Sequence, residues 1–499
     1  MRVPQLMEAT VMTFRALVCA QSGRLAVVAA ALILLFGAGA FGQAQENRNA
    51  EAKTKRGPVD PGVRDGAAGV GGPLKGLTAD ETAFFVDGMA RFSEVESVTG
   101  GANNGLGPRF NSNQCLSCHS QPEAGGSSPM ENPLIAVATL DGAKNKVPWF
   151  ITAKGPVREA RFKKSTDGTG DGEVHDLFVI SGRTDAAGCN IAQPDFLPAG
   201  NSLTGKGGNP NIIFRIPTPV FGAGLIEAIP DSAILANRKA NAAVKSAMGI
   251  HGHANAHLSG NVNRSANDGT ISRFGWKAQN KSLLLFASEA YNVEMGVTNQ
   301  IFTQERDETP GCLFNATPED TLNFTPAAAS GGGNKNTAVV SDIEAFANFM
   351  RLLAPPAPAP ATPETEKGRA TFAKIGCAHC HTPSLITGPK IASGSATRPS
   401  AALSNQTANL YSDLLVHHMG SGMADGITQG GAGPDEFRTA PLWGVGQRVF
   451  FLHDGRTSNL VEAIREHRSK GSEANRVIEQ FERLSVQEQQ EVIDFLRSL

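Results

Sequence analysis

The sequence predicts a mainly α chain built from two units on one plan, the first enlarged by loop and short β insertions. Three observations carry this. The pattern Gly-x-x-x-Phe occurs as GMARF at residues 88–92 and as GRATF at residues 368–372. Each copy precedes a Cys-x-x-Cys-His motif: QCLSCHSQ, with Cys115, Cys118 and His119, and GCAHCHTP, with Cys377, Cys380 and His381. Each unit closes on an amphipathic segment, SDIEAFANFMRLL (341–353) and SVQEQQEVIDFLRSL (485–499), that opens with Ser-x-x-Glu and ends in Phe-[Met/Leu]-Arg-x-Leu. Internal similarity of this kind sets the boundaries before any other reading.

The segments follow in order. Residues 25–42, LAVVAAALILLFGAGAFG, are apolar throughout, follow Arg24 and end in small residues. Residues 1–42 therefore read as a secretory signal, cleaved near Gly42 or Ala44. An uncleaved anchor is the alternative, because this stretch is close to the ~20 residues that span a bilayer. Either way the bulk of the chain is expected to be exported, to the periplasm. Residues 43–75, rich in Gly and charge, read as a disordered leader.

Residues 76–353 form the first unit, opening on a helix that Thr78 can cap. Its insertions include ARFKKSTDGTGDGEVHDLFVISGR, where DLFVI, with FITA nearby, reads as short strands between turns, and the loop HGHANAHLSGNVNRSANDG. In APPAPAPATP, residues 354–363 make a spacer whose prolines forbid a continuous helix. Residues 364–499 form the second unit, of ordinary single-domain size. Both closing segments carry a capping box in Ser-x-x-Glu.

Composition narrows the partners. The chain has 499 residues with 45 Lys plus Arg against 47 Asp plus Glu, a balance that argues against nucleic acid. Of 7 cysteines, Cys19 leaves with the signal and four sit in the motifs. The remaining Cys189 and Cys312 read as a disulfide in an oxidising compartment, the alternative being two unpaired buried thiols.

The motifs carry the chemistry. Two thiols at Cys-x-x-Cys spacing reach the two vinyl groups of one haem, and the following His turns its imidazole onto the iron. Two covalently bound c-type haems are thus expected, with His119 and His381 as proximal ligands, and each unit becomes a cytochrome c-type haem domain. A zinc site needs four ligands close together, and each motif offers three. A redox dithiol leaves both histidines unexplained. For the second haem the candidate sixth ligands are His417, His418, Met419, Met423, His453 and His467. For the first, no His occurs between His119 and His175, which lies in DGEVHDLFV at a strand edge. Asp167-x-Thr169-x-Asp171-Gly172 begins like a calcium loop but has Phe178 at the position of the bidentate Glu, so a turn is expected and calcium lacks support. His251, His253 and His257 read as a solvated His-rich loop, with metal binding the alternative.

At FRTAPLWGVGQRVFFLHDGRTSNLVEAIREH (437–467) the chain resembles the bacterial dihaem cytochrome c peroxidase superfamily, and most of all its dihaem oxidoreductase, or thiol oxidoreductase-like, branch. GLGPRFNSNQCLSCHS, FRIPTPVFGAGLIEAIPD, RFGWKAQNKSLLLFASEAYNVEMGVTN and YSDLLVHHMG fit the same branch. The resemblance implies several roles. In the peroxidases a methionine fourteen residues after the HDG histidine ligates the second haem; here that position is His467 (453 + 14), implying a His/His iron. Met419 competes, by a spacing common in single-domain cytochromes, and His453 is left a structural or propionate-contacting role. The stretch PMENPLIAVATL lacks the distal His of resting peroxidases, implying an open or water-ligated first iron.

Trp276, with Ser282 and Leu283, matches the tryptophan between the two haems and implies an electron relay; without the match it reads as core packing. Glu294, in EMG, matches the segment of the distal glutamate and implies proton transfer, a solvated helix glutamate being the plain alternative. Phe286 stands where peroxidases carry a distal glutamine, a departure that bears on peroxide cleavage. The implied protein is an exported dihaem oxidoreductase of peroxidase type. Its second haem takes electrons from a small redox protein, a cytochrome or cupredoxin, or from a quinol pathway. Its first acts on peroxide or a similar small molecule. An oxygenase or protein-modifying oxidase, and a non-catalytic electron carrier, are the alternatives.

Overall fold

The computed structural model describes residues 57–164, 174–175, 177–194, 196, 211–256, 270–320, 340–393 and 399–499. The signal segment, the leader up to residue 56, the Asp167–Gly172 loop and His257 lie outside the described residues, and of His175 only the backbone is described. Six helices position the motifs: α1 (Ala79–Phe92), α2 (Leu283–Met295), α3 (Asp342–Leu352), α4 (Pro363–Lys374), α5 (Leu460–Glu466) and α6 (Val486–Ser498).

The repeat seen in the sequence is a repeat of helix pairs, α1 against α3 and α4 against α6. Glycine makes both crossings. A Cβ on Gly88 would stand 2.3 Å from the Ala345 carbonyl oxygen, and one on Gly368 would stand 1.9 Å from that of Glu491. Only glycine lets the backbones approach so closely. The Phe four residues on fills the same place in each pair: Phe92 packs on Phe349 (4.9 Å between ring centroids) and Phe372 on Phe495 (5.5 Å). The same two rings flank the motif histidines, Phe92 at 5.9 Å from His119 and Phe372 at 6.3 Å from His381.

The caps mostly follow expectation. Thr78 with Glu81, and Ser485 with Glu488, form full capping boxes. Ser341 does not cap with its side chain. The buried carboxylate of Asp320 instead accepts from the backbone N–H groups of Asp342 and Ile343, so a distant residue occupies the role that Ser-x-x-Glu suggested. DLFVI supplies a strand, Phe178–Val179, paired with Arg109–Phe110. FITA is a turn and a bend, and the strand of that region is Glu159–Phe162. It is the middle of a three-stranded antiparallel sheet between Val174–His175 and Ile212–Arg215, which puts His175 on an edge strand as expected. Two further two-stranded sheets follow the second motif. The architecture is therefore mixed, helices with small sheets and long irregular stretches, rather than mainly α.

Cys189 and Cys312 form the expected disulfide, closing a loop with a sequence separation of 123. Two expectations about organisation need correction. The leader, read as disordered over 43–75, is ordered from Gly57 onward. Asp60 is buried against Arg497 (Oδ2 to Nη2, 2.7 Å), and the backbone N–H of Leu74 donates to Leu352 O. The spacer 354–363 lies along this strap, Ala354 and Ala357 donating to Gly72 O and Gly69 O. Secondly, the second unit keeps a core of its own around Phe372, Phe481 and Phe495 but is not wholly separate from the first. Leu385, Leu403, Leu410 and Leu415 of the second unit join the large apolar core of the first, and Pro58–Leu499 form one compact unit. Among the described residues no helix is long and apolar enough to cross a membrane.

Candidate functional site

Each motif sits in the wall of its own cavity. The first opens a volume of about 1320 Å³ and is mostly apolar. Cys115–Cys118 is a single helical turn, so both thiols and His119 face one region at one-turn spacing. The His119 Nδ1 lies 2.9 Å from the Gly126 carbonyl, which fixes that nitrogen as the N–H and leaves Nε2 as donor atom for a metal. Burial holds this imidazole below its ordinary pKa, and so neutral, the form that ligates. Helix α2 forms the opposing wall with Phe286, Glu289, Ala290 and Val293, spaced 0, 3, 4 and 7 along one face, followed by Glu294. Ser282 caps this helix by accepting from Leu285 N (3.2 Å). Among the described lining residues His119 is the only histidine.

The second cavity, about 1360 Å³, contains Cys377, Cys380 and His381. His381 repeats the anchoring, its Nδ1 3.0 Å from Tyr411 O, and burial together with the nearby His467 pushes its pKa down to about 4. Of the expected sixth ligands, His417, Met419, Met423, His453 and His467 line the same cavity, and His418 does not. His417 has both nitrogens engaged, Nδ1 with Glu473 (2.7 Å) and Nε2 with Asp413 (3.0 Å). His453 stacks on Phe437 at 4.4 Å. His467 closes the C-terminal end of α5 with Nδ1 2.8 Å from Ala463 O, the same backbone anchoring as the two motif histidines. Met419 shares the cavity, so lining alone does not remove it.

Trp276 lines both cavities. It is buried, and its indole N–H donates to Ile216 O at 2.9 Å, fixing the ring at the junction. A smaller space of about 540 Å³ beside it is bounded by Phe286, Trp443, Arg438 and Arg448.

A family model described as "Di-haem oxidoreductase, putative peroxidase" matches residues 209–499, more than half of the chain. The chain belongs to the di-haem oxidoreductase family. No curated protein matches it. Among solved structures, one titled "Crystal structure of a MauG-like protein associated with microbial copper homeostasis" is 16% identical. It covers 62% of this chain and 95% of its own, with a TM-score of 0.26. The family match includes the second motif, Trp276 and Glu294 and stops short of the first motif, for which the geometry above is the support.

The residues present fit the two haems of a di-haem oxidoreductase. All four motif thiols are free of disulfides, and burial pushes Cys118 up to about 11 and Cys377 up to about 12, so both are neutral thiols. Each cavity gathers both thiols and the histidine of its motif within a mostly apolar lining, as a haem macrocycle requires. Of the acid–base candidates, Glu294 lines the first cavity and accepts from Asn111 Nδ2 at 2.6 Å. It is half-buried and held by this hydrogen bond. Phe286 lies in the same wall and stacks on Phe274. His253, read as part of a solvated loop, is bound to Glu436 through Nε2 (2.7 Å).

Sequence reasoning missed Glu289, a second carboxyl of the first cavity, which accepts from Asn280 and whose pKa burial raises. The three-residue spacing from Phe286 would have placed it. It also missed Arg438 and Arg448, on segments with no helical period to betray which way they face.

Proposed function

We propose that this di-haem oxidoreductase is an exported c-type enzyme that takes electrons at its second cavity and spends them on peroxide, or a similar small oxidant, at its first. One observation carries the reading: Trp276 borders both cavities, and they differ in imidazoles, His381 with His467 in one and His119 alone among the described lining of the other. The haems, covalently held by the motif cysteines, supply one-electron iron chemistry when bound. The chain does the rest. His381 and His467 offer two strong donors to one metal, which suits an electron port closed to substrate. His119 offers one, which leaves room for a reactant.

Reducing peroxide to two waters takes two electrons and two protons, and the second wall of the first cavity carries groups that can hold protons. Glu294, ordered by Asn111, is the nearest match to a general acid, a role worth roughly 10²–10⁴ in rate. Apolar residues of α2 and the buried Leu134 and Leu177 exclude bulk water from its surroundings. Phe286, standing in this wall, favours a second reading, in which the first cavity serves an oxygenase or a protein-modifying oxidase.

Electron paramagnetic resonance of the oxidised haem protein tests the division of labour. One high-spin and one low-spin signal are expected, and two low-spin signals would reduce the protein to a carrier. Peroxide turnover with a reduced cytochrome or cupredoxin then separates peroxidase from oxygenase.

A further inference from the structure

Two guanidinium groups lie at the wall of the second cavity without an acidic partner. Arg448 is buried (7% exposed), and its Nε and Nη2 have no hydrogen-bond partner. Arg438 stands close enough for the two like charges to oppose one another, and its Nε donates to Gly275 O at 3.0 Å. Both line the second cavity and the small space beside Trp276, and neither lines the first cavity. Other interior arginines have charge or carbonyl partners even where one nitrogen is left over, as Arg215 Nε is: Arg215 pairs with Asp425, Arg497 with Asp60, and Arg158 donates to the carbonyls of Asp454 and Gly455. Leaving a buried cation unpaired costs several kcal/mol, and two side by side cost more. A chain that keeps such a pair has an anion for it.

The chemistry of that anion follows from the guanidinium fork, which matches a carboxylate with two parallel N–H···O bonds. Haem carries two propionates. We infer that Arg438 and Arg448 receive the propionates of the haem in the second cavity and seat that haem's edge against Trp276. This rests on the reading that the second cavity holds a haem. Arg438 is tied to the relay segment twice, since its backbone N–H also donates to Trp276 O at 2.9 Å. A propionate held by Arg438 is thereby joined to the tryptophan through Arg438 itself, with no mobile side chain between. The two arginines are positioning residues: they fix the macrocycle's rotation about its thioether bonds and the distance of its edge from Trp276.

The test uses the mature protein with both haems, counted first by absorbance. In the wild type the propionate charge is neutralised, so the midpoint potential of the low-spin second haem varies little with pH. In Arg448→Gln a propionate loses its counter-charge and must take up a proton or stand unbalanced. The potential is then expected to fall as pH rises, because an unbalanced negative charge favours the oxidised iron. Arg448→Lys should recover most of the wild-type profile, and the high-spin haem should keep its potential throughout. A profile in Arg448→Gln superimposable on the wild type overturns the inference, as does a wild-type potential that follows the identity of the buffer anion.

Should Arg448→Gln fail to mature, low-frequency resonance Raman spectra of the wild type in H₂O and D₂O decide without a variant. Propionate bending modes bonded to guanidinium shift on deuteration, and unshifted modes overturn the inference. A protein that matures with no haem at the second motif sinks the underlying reading as well, whereas two haems with unshifted modes sink the arginine inference alone.

Discussion

On the proposed reading, His467 is the residue that would close the second iron to substrate. It has the anchoring that prepares an imidazole for a metal, and it influences His381 across the cavity. Replacing it by Ala should convert the low-spin second haem to a high-spin one, read by absorption and paramagnetic resonance. An untouched spectrum would transfer the role to Met419. Near the other cavity, Glu96 is buried with its Oε1 3.3 Å from the Tyr291 hydroxyl, and its pKa rises to about 8 through burial first and then the charges of Asp342 and Glu94. Arg91 works against this, and the neighbouring Asp320 is raised to about 7 in the same way. The folded protein thus holds a proton that the unfolded chain, with an ordinary glutamate, releases in mildly acidic solution. Stability falls as pH rises between the unfolded value and about 8, and the full penalty remains above it. Glu96→Gln should change urea stability little at pH 5 and raise it at pH 8.5, by on the order of 4 kcal/mol. Equal shifts at both pH values would refute this.

At the level of elements, the two helix pairs depend on glycines that no other residue can replace in place. Real Cβ atoms do not approach within 3.0 Å of other heavy atoms, and a methyl on Gly88 or Gly368 would meet a backbone carbonyl at 2.3 or 1.9 Å. The helices must part, since the clash is with backbone rather than a side-chain tip. Gly88→Ala and Gly368→Ala should each cost about 2–3 kcal/mol in denaturant unfolding. Both should also disturb the haem of their own pair, through Phe92 beside His119 and Phe372 beside His381. A variant with wild-type stability would mean that the helices cross elsewhere.

The molecule as a whole is laced by its N-terminal strap. Asp60 holds Arg497 through two bonds of 2.7 Å and also accepts from Leu460 N, at the start of the helix that ends in His467. Despite burial, Arg497 keeps this carboxyl below the usual carboxylate range. Breaking such a buried pair leaves a charge without a partner, so Asp60→Ala should lose about 3 kcal/mol of stability at neutral pH, measured by urea denaturation. It should also raise the high-spin fraction of the second haem, because α5, although still capped by Asn459, loses the acceptor for its first N–H. A loss of stability without a spectral change would confine the strap to a structural role.

Much of this was legible in residue order. The two Cys-x-x-Cys-His motifs, the Gly-x-x-x-Phe repeat, the cap at Thr78, the capping box at Ser485 and the pairing of Cys189 with Cys312 are local patterns or simple remainders, so they need no knowledge of what lies across the chain. The resemblance added Trp276, Glu294 and His467, and each lies in a cavity wall. What the sequence could not supply depends on distant neighbours. Asp320 replaces Ser341 as a cap from outside the helix, the strap is ordered by a partner more than four hundred residues away, and Leu385, Leu403, Leu410 and Leu415 leave their own unit for the core of the other. Arg438 and Arg448 look like any surface arginines until the fold buries them without carboxylates. The sequence by itself determined where the two Cys-x-x-Cys-His motifs stand and so the expectation of haem attachment, because motif spacing is local; only the tertiary structure decided which wall faces which, because burial and charge pairing are properties of three-dimensional neighbours.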